Sequence, residues 1–114
     1  KATIYHNPRC STSRNTLELM REAGVEPTVV EYLKDTPTRA RLKKLIKEAG
    51  ISVRDAMRRK EAVYAELGLD DPKLTDDQLL HAMIANPILI ERPIVVTDKG
   101  VRLCRPIEKV NEIL

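Results

Sequence analysis

Cys10 stands in the stretch Tyr5-His6-Asn7-Pro8-Arg9-Cys10-Ser11-Thr12-Ser13-Arg14-Asn15-Thr16, directly after a short apolar run, Thr3-Ile4-Tyr5, and ahead of a helical pattern that opens near Ser13. A cysteine at the start of a helix meets unpaired backbone N–H groups at the positive end of the macrodipole, and these favour thiolate over thiol. Arg9 and Arg14 bring two cations close in sequence, and His6 can supply a third. A polar loop carrying three hydroxyl residues is a poor burial site for an inert thiol. The chemistry expected is nucleophilic attack by an activated Cys10. The other cysteine, Cys104, ends an apolar strand pattern and reads as a small residue in or beside a sheet.

Two cysteine mechanisms can be tested on spacing. A cysteine-dependent phosphatase loop places an arginine after five intervening residues, but that position is Thr16 and the nearest downstream arginine is Arg14. A dithiol-disulfide enzyme needs C-x-x-C, and the segment here is Cys10-Ser11-Thr12-Ser13. Without a resolving cysteine, the thiol must draw on an external one such as glutathione.

Arginines supply the other half of the chemistry. Of the eleven in the chain, most belong on solvated faces, but three have unusual positions. Arg58 closes a capped helix, Arg92 precedes Pro93 at the start of a strand, and Arg105 precedes Pro106 at the end of one. Strand ends in open α/β sheets gather sites, and the residue before a proline is conformationally restricted. Guanidinium forks bind tetrahedral oxyanions in bidentate fashion, so these side chains could hold a doubly charged anion against the thiol.

The elements that must position these groups follow from periodicity. Residues 3–32 read as strand, helix, strand: Ser11-Thr12-Ser13 offer N-cap hydroxyls, Leu17 and Met20 form a helical stripe, Gly24 stops it, and Thr28 to Tyr32 is a second strand. From about 36 to 86 the pattern is helical. Thr36 or Thr38 caps a helix carrying Leu42, Leu45, Ile46 and Ala49, Ser52 to Asp55 opens a short one, and Glu61 to Leu67 is another. Thr75 with Gln78 forms a capping box before Leu79, Leu80, Met83 and Ile84. Strands return at Ile94 to Thr97 and Val101 to Cys104, joined by Asp98-Lys99-Gly100 as a three-residue loop, and Pro106 opens a last helix with Ile107, Val110 and Leu114 on one side. The expected fold is α/β, a thioredoxin-like four-stranded mixed sheet (β-α-β, then β-β-α), in one domain spanning 1–114 with a helical insertion at about 36–86.

Composition narrows the setting. The chain has 114 residues, 42% hydrophobic and 32% charged, with a net charge of +3. Three tyrosines are the only aromatics, too few for a base-stacking platform, and the basic residues are dispersed among acidic ones. No nucleic-acid partner and no membrane are expected. No signal-peptide pattern is recognised, so a cytoplasmic location is expected, where thiols stay reduced. His6, His81 and the two cysteines lack metal-ligand spacing, so no metal and no bound cofactor are expected.

Four motifs, in order, carry a resemblance over nearly the whole chain: the Cys10 stretch, Ile51-Ser52-Val53-Arg54 leading to Arg58, Asn86-Pro87-Ile88-Leu89-Ile90-Glu91-Arg92-Pro93, and Leu103-Cys104-Arg105-Pro106. Together they resemble the glutaredoxin-linked arsenate reductase family, ArsC. The family pattern runs on beyond the final helix seen here. The resemblance implies that Cys10 attacks arsenate to form a thiol-arsenate adduct, that Arg58, Arg92 and Arg105 hold the anion, and that His6 favours the thiolate with Ser13 close by. It further implies glutathione as co-substrate, glutaredoxin as the partner that helps release arsenite, and a cis bond before Pro93. Two alternatives accompany it: an ArsC-like thiol reductase of another substrate, and an Spx-like redox-responsive transcription regulator, which Ser13 in place of a second cysteine weakens.

Overall fold

The computed structural model describes every residue, 1–114, in two compact units: Lys1–Asp35 with Arg92–Leu114, and Thr36–Glu91. The first unit holds β1 (Ala2–His6), α1 (Ser11–Glu22), β2 (Thr28–Glu31), β3 (Ile94–Thr97) and β4 (Gly100–Leu103), followed by a 3₁₀ segment, Ile107–Glu112. Its sheet has the order β2-β1-β3-β4, with β1 parallel to β2 and both other pairings antiparallel. This is the expected mixed, thioredoxin-like sheet.

Register decides which chain ends meet. Val30, Tyr5, Ile94 and Leu103 lie in one row across the four strands. His6 lies one residue beyond that row on β1, Arg92 two before it on β3, and Arg105 two after it on β4. With neighbouring strands about 4.8 Å apart, all three leave the sheet at the same end.

Helix α1 forms where apolar residues recur on one face, and Leu17 and Met20 bury against Ile4, Val95, Cys104, Val110 and Ile113. Burying each large apolar side chain contributes about 1.5–3 kcal/mol. The helix starts earlier than expected. Cys10 itself is the N-cap, so the hydroxyls of Ser11, Thr12 and Ser13 lie inside the first turn and do not cap it. At the other end Gly24 takes φ 82°, its N–H donates to the Arg21 carbonyl, and the Val25 N–H donates to that of Met20, a Schellman ending.

Two details of the C-terminal part differ from expectation. Thr97 pairs with Gly100, so the hairpin loop is the two residues Asp98-Lys99 and not three. The last helix is 3₁₀, with Pro106 at its N-cap. Ile107, Val110 and Ile113 recur every third residue, the repeat of a 3₁₀ turn, and bury Val110 and Ile113, whereas Leu114 is only partly covered.

The second unit is helical: α2 (Arg39–Glu48), α3 (Ala62–Glu66) and α4 (Asp76–Ala85), with 3₁₀ turns at Arg54–Ala56 and Pro87–Leu89. Thr38, not Thr36, caps α2 by accepting from the Arg41 N–H. Thr75 and Gln78 complete a capping box on α4. Leu42, Leu45 and Ile46 of α2 and Leu79, Leu80 and Met83 of α4 supply the buried apolar faces. A single antiparallel bridge pairs Met57 with Ile90. It is flanked by hydrogen bonds from the Arg58 N–H to the Leu89 carbonyl and from the Glu91 N–H to the Ala56 carbonyl, each 2.8 Å.

Candidate functional site

The loop leaving β1 is tied down by its own polar groups. The Asn7 carbonyl accepts from the Cys10 N–H at 3.0 Å, and Asn7 Oδ1 accepts from the Arg9 N–H at 3.0 Å. The Asn7 N–H donates to Ser13 Oγ at 3.1 Å, and His6 Nδ1 lies 2.6 Å from that same oxygen. His6, Asn7 and Ser13 are all buried.

The direction of the His6–Ser13 bond follows from accounting. Ser13 Oγ is already an acceptor for the Asn7 N–H, and the only acceptor within reach of its own hydroxyl hydrogen is Nδ1. A buried hydroxyl hydrogen left unpaired costs about 1–3 kcal/mol, so Ser13 donates to Nδ1 and the imidazole carries its proton on Nε2. Burial also pushes the His6 pKa down, with Arg21 and Arg14 adding to it and Glu31 opposing. His6 is therefore a neutral acceptor and not the third cation expected from its place in sequence.

Arg92 is 6% exposed and joined to Pro93 by a cis bond. A second cis bond, Arg105–Pro106, was not anticipated. Arg105 Nη1 donates to the Arg92 carbonyl at 2.9 Å, and the Cys104 N–H donates to the Pro93 carbonyl at 2.9 Å, so the ends of β3 and β4 are fastened to each other.

Cys10 is half-buried at the N-terminus of α1. Burial pushes its pKa up, but this is outweighed by the Ser13 N–H directed at the sulfur and by hydrogen bonding and charge from Arg92, with Arg105 adding a hydrogen bond. The net shift is downward, toward thiolate. The Ser13 N–H faces the sulfur without closing a full capping hydrogen bond. The cations adjacent in sequence do not supply this field: Arg9 is exposed, and exposed Arg14 donates to the Pro8 carbonyl at 2.9 Å. Cys10, His6, Ser13, Arg92 and Arg105 thus come together in the first unit.

Arg58 lies in the second unit in its own network. Nε donates to Glu61 at 3.0 Å and Nη1 to Glu91 at 2.9 Å. Burial works against its charge, but Glu61 and Glu91 outweigh it and hold the guanidinium protonated. Asn7, Glu61 and Glu91 were not singled out from sequence. Asn7 had a usable signal, since an asparagine before a proline commonly closes a turn with its own side chain. Glu61 had a local signal as well, an opposite charge three residues after Arg58, whereas Glu91 had none, because its pairing with Arg58 depends on how the chain folds back. No group of three or more His, Cys, Asp or Glu is close enough to hold a metal ion.

The ArsC family model matches residues 5–113. The chain belongs to the ArsC family. Among ArsC relatives, "Arsenate reductase" of Rhizobium meliloti (strain 1021) is 60% identical over 112 residues, covering 98% of this chain and 80% of that protein. "Uncharacterized protein YfgD" of Escherichia coli (strain K12) is 52% identical, covering 97% of this chain and 94% of that one. The solved "Arsenate reductase from Vibrio cholerae" superposes with a TM-score of 0.95 at 49% identity, covering 99% of this chain and 97% of that chain.

Proposed function

We propose that this ArsC-family enzyme is an arsenate reductase that converts arsenate to arsenite, with Cys10 as nucleophile. The observation that carries the assignment is the placement of the Cys10 thiol at the N-cap of α1, with the strand ends that carry Arg92 and Arg105 brought to the same end of the sheet. Relatives named arsenate reductase, at about 60% identity, support the choice of oxyanion.

In the proposed sequence, the Cys10 thiolate bonds to arsenic and one arsenate oxygen leaves as water. Arg92 and Arg105 neutralise the anion and orient it for attack. Arg58 serves as a further oxyanion ligand, an assignment that rests on the family resemblance. Glutathione contributes the second thiol. It condenses with the adduct and displaces a second oxygen as water; a glutaredoxin thiolate then attacks the glutathione sulfur, forming a disulfide between them, and the electron pair of the broken As–S bond stays on arsenic as As(III). Water displaces the Cys10 sulfur, which releases arsenite and returns Cys10 to the thiol state. Ser13 and neutral His6 act through the loop, holding the Asn7–Cys10 turn so that the sulfur meets the first turn of α1. No helix is long and apolar enough to cross a membrane, and we place the enzyme in the cytoplasm, where glutathione is abundant and free Cys10 and Cys104 stay reduced.

Arsenate reduction with glutathione and glutaredoxin, measured for the unmodified chain and for Cys10→Ser, tests the assignment. Turnover that disappears in the variant supports it, and absence of turnover in the unmodified chain sinks it. Guanidinium forks recognise a tetrahedral oxyanion by charge and shape and not by element, so the second reading is thiol-dependent reduction of another substrate. Failure with arsenate but Cys10-dependent consumption of glutathione with a different oxyanion would select that reading.

A further inference from the structure

Beside the Cys10 loop lies a cavity of about 410 Å³, within the size range of small-molecule sites, lined by His6, Pro8, Arg14, Leu17, Glu18 and Arg21. All six residues belong to β1, the loop after it or α1. His6 is 6% exposed and its Nδ1 is occupied by Ser13, which leaves the Nε2–H, matched by no acceptor of the chain, to face this cavity. Buried donors are normally paired, and only solvent or a ligand entering the cavity can supply the acceptor. Arg14 commits Nη1 to the Pro8 carbonyl and keeps its other edge, whereas Arg21 is engaged by Glu26 through Nε and Nη2. Glu18, one turn beyond Arg14 on α1, adds a carboxylate.

The lining thus offers a neutral donor and a guanidinium edge to a carboxylate, and a carboxylate to an ammonium. A doubly charged oxyanion fits poorly, because Glu18 repels it. The zwitterionic end of an amino acid fits, with Pro8 and Leu17 against its methylenes. Position adds a second argument. Cys10 has no partner thiol in the chain, since Cys104 is enclosed in the core, so its turnover requires an external thiol. Arg14 follows Cys10 by four residues, about 6 Å along α1, and each extended residue of a ligand spans about 3.5 Å. A peptide thiol of two or three residues can therefore fill the cavity with one end while its sulfur approaches Cys10.

We infer that this cavity binds the amino-acid end of the thiol co-substrate, its carboxylate on His6 Nε2 and Arg14 and its ammonium on Glu18. In glutathione that end is the γ-glutamyl group. The inference rests on the reading of Cys10 as a nucleophile regenerated by an external thiol.

S-methylglutathione, which cannot exchange thiols, is the probe, followed by calorimetry and by the nitrogen shift of His6 Nε2. N-acetyl-S-methylcysteinylglycine, which keeps the glycine carboxylate and lacks the γ-glutamyl end, is its control. S-methylglutathione should move the Nε2 signal, and the control should leave it in place and bind roughly tenfold or more weakly. Arg14→Gln and Glu18→Gln should each weaken S-methylglutathione roughly three- to tenfold and raise KM for glutathione in arsenate reduction by a similar factor, with kcat little changed. Melting temperature and the pH profile of Cys10 alkylation should hold in both variants, because neither side chain is among the groups that shift the thiol. An unmoved Nε2 signal, equal binding of the two compounds, or an unchanged KM for glutathione in both variants overturns the inference and leaves the arsenate assignment standing. Binding that behaves as expected in a chain that turns over no arsenate keeps the site and removes that assignment.

Discussion

Cys10 and Cys104 belong to the same unit and carry the same side chain, but their surroundings drive them in opposite directions. Cys104 is fully buried among Ile4, Val95, Val110 and Ile113. Burial pushes its thiol up to about 12, with Arg102 and Lys109 offsetting only part of the effect. Its sulfur lies 3.7 Å from the Arg102 carbonyl, a contact in which the thiol donates and must keep its proton. At Cys10 burial is again the largest single effect and again raises the pKa, yet the net result is a reduction. The difference is the donor set. Cys10 has a helix N-terminal amide and two guanidinium groups directed at its sulfur, whereas Cys104 has an apolar core. Reactivity is therefore a property of what faces the sulfur, more than of how deeply it sits.

The sharpest way to break that contrast is to exchange the thiols' consequences. Cys10→Ser should remove arsenate turnover, roughly a thousandfold or more, with little change in melting temperature. Next come the donors: Arg92→Ala and Arg105→Ala should each lower kcat/KM about ten- to a hundredfold and raise the pH midpoint of Cys10 alkylation. An unmoved midpoint would mean that the helix amide alone activates the thiol. A third measurement addresses the inert partner. Cys104→Ser should leave turnover nearly unchanged but cost about 1–3 kcal/mol in denaturant unfolding, because a hydroxyl is then buried in the apolar cluster.

The smallest effect is a pH dependence of stability. The folded pKa of Cys104 lies above that of the unfolded thiol, about 8.5, so the unfolded chain loses its proton first as pH rises. Stability should fall as pH climbs from there toward about 12. Cys104→Ala should flatten that alkaline loss. Cys10 has the opposite sign, its folded pKa being lowered, so it adds stability above the unfolded thiol's pKa and that contribution is lost as pH falls through the folded value.

Local signals read directly from the chain carried much of the fold. The Leu42, Leu45, Ile46 stripe, the Thr75–Gln78 capping box and Gly24 as a helix stop each concern residues within a turn of one another, and each stands in the structure where periodicity put it. Misplacements came where two local rules competed. Ser11, Thr12 and Ser13 are better capping residues than cysteine, but the Asn7 turn delivers Cys10 to the N-cap first. Thr97 pairing with Gly100 shortened the hairpin loop, since an added ladder pair outweighs a wider turn.

What the sequence determined by itself was the nucleophile and its setting: a cysteine between strand and helix, no second cysteine within reach along the chain, and arginines beside prolines at strand ends. Those properties depend on residue type and short spacing. Only the tertiary structure decided which cations face the sulfur, that His6 is a neutral acceptor for Ser13, and that Arg58 is gripped by Glu61 and Glu91. The reason is physical. Charge and hydrogen bonding act over a few ångströms of space, and strand register brings His6, Arg92 and Arg105 to one end of the sheet, beside the loop that leads from β1 to Cys10, which no count along the chain can measure.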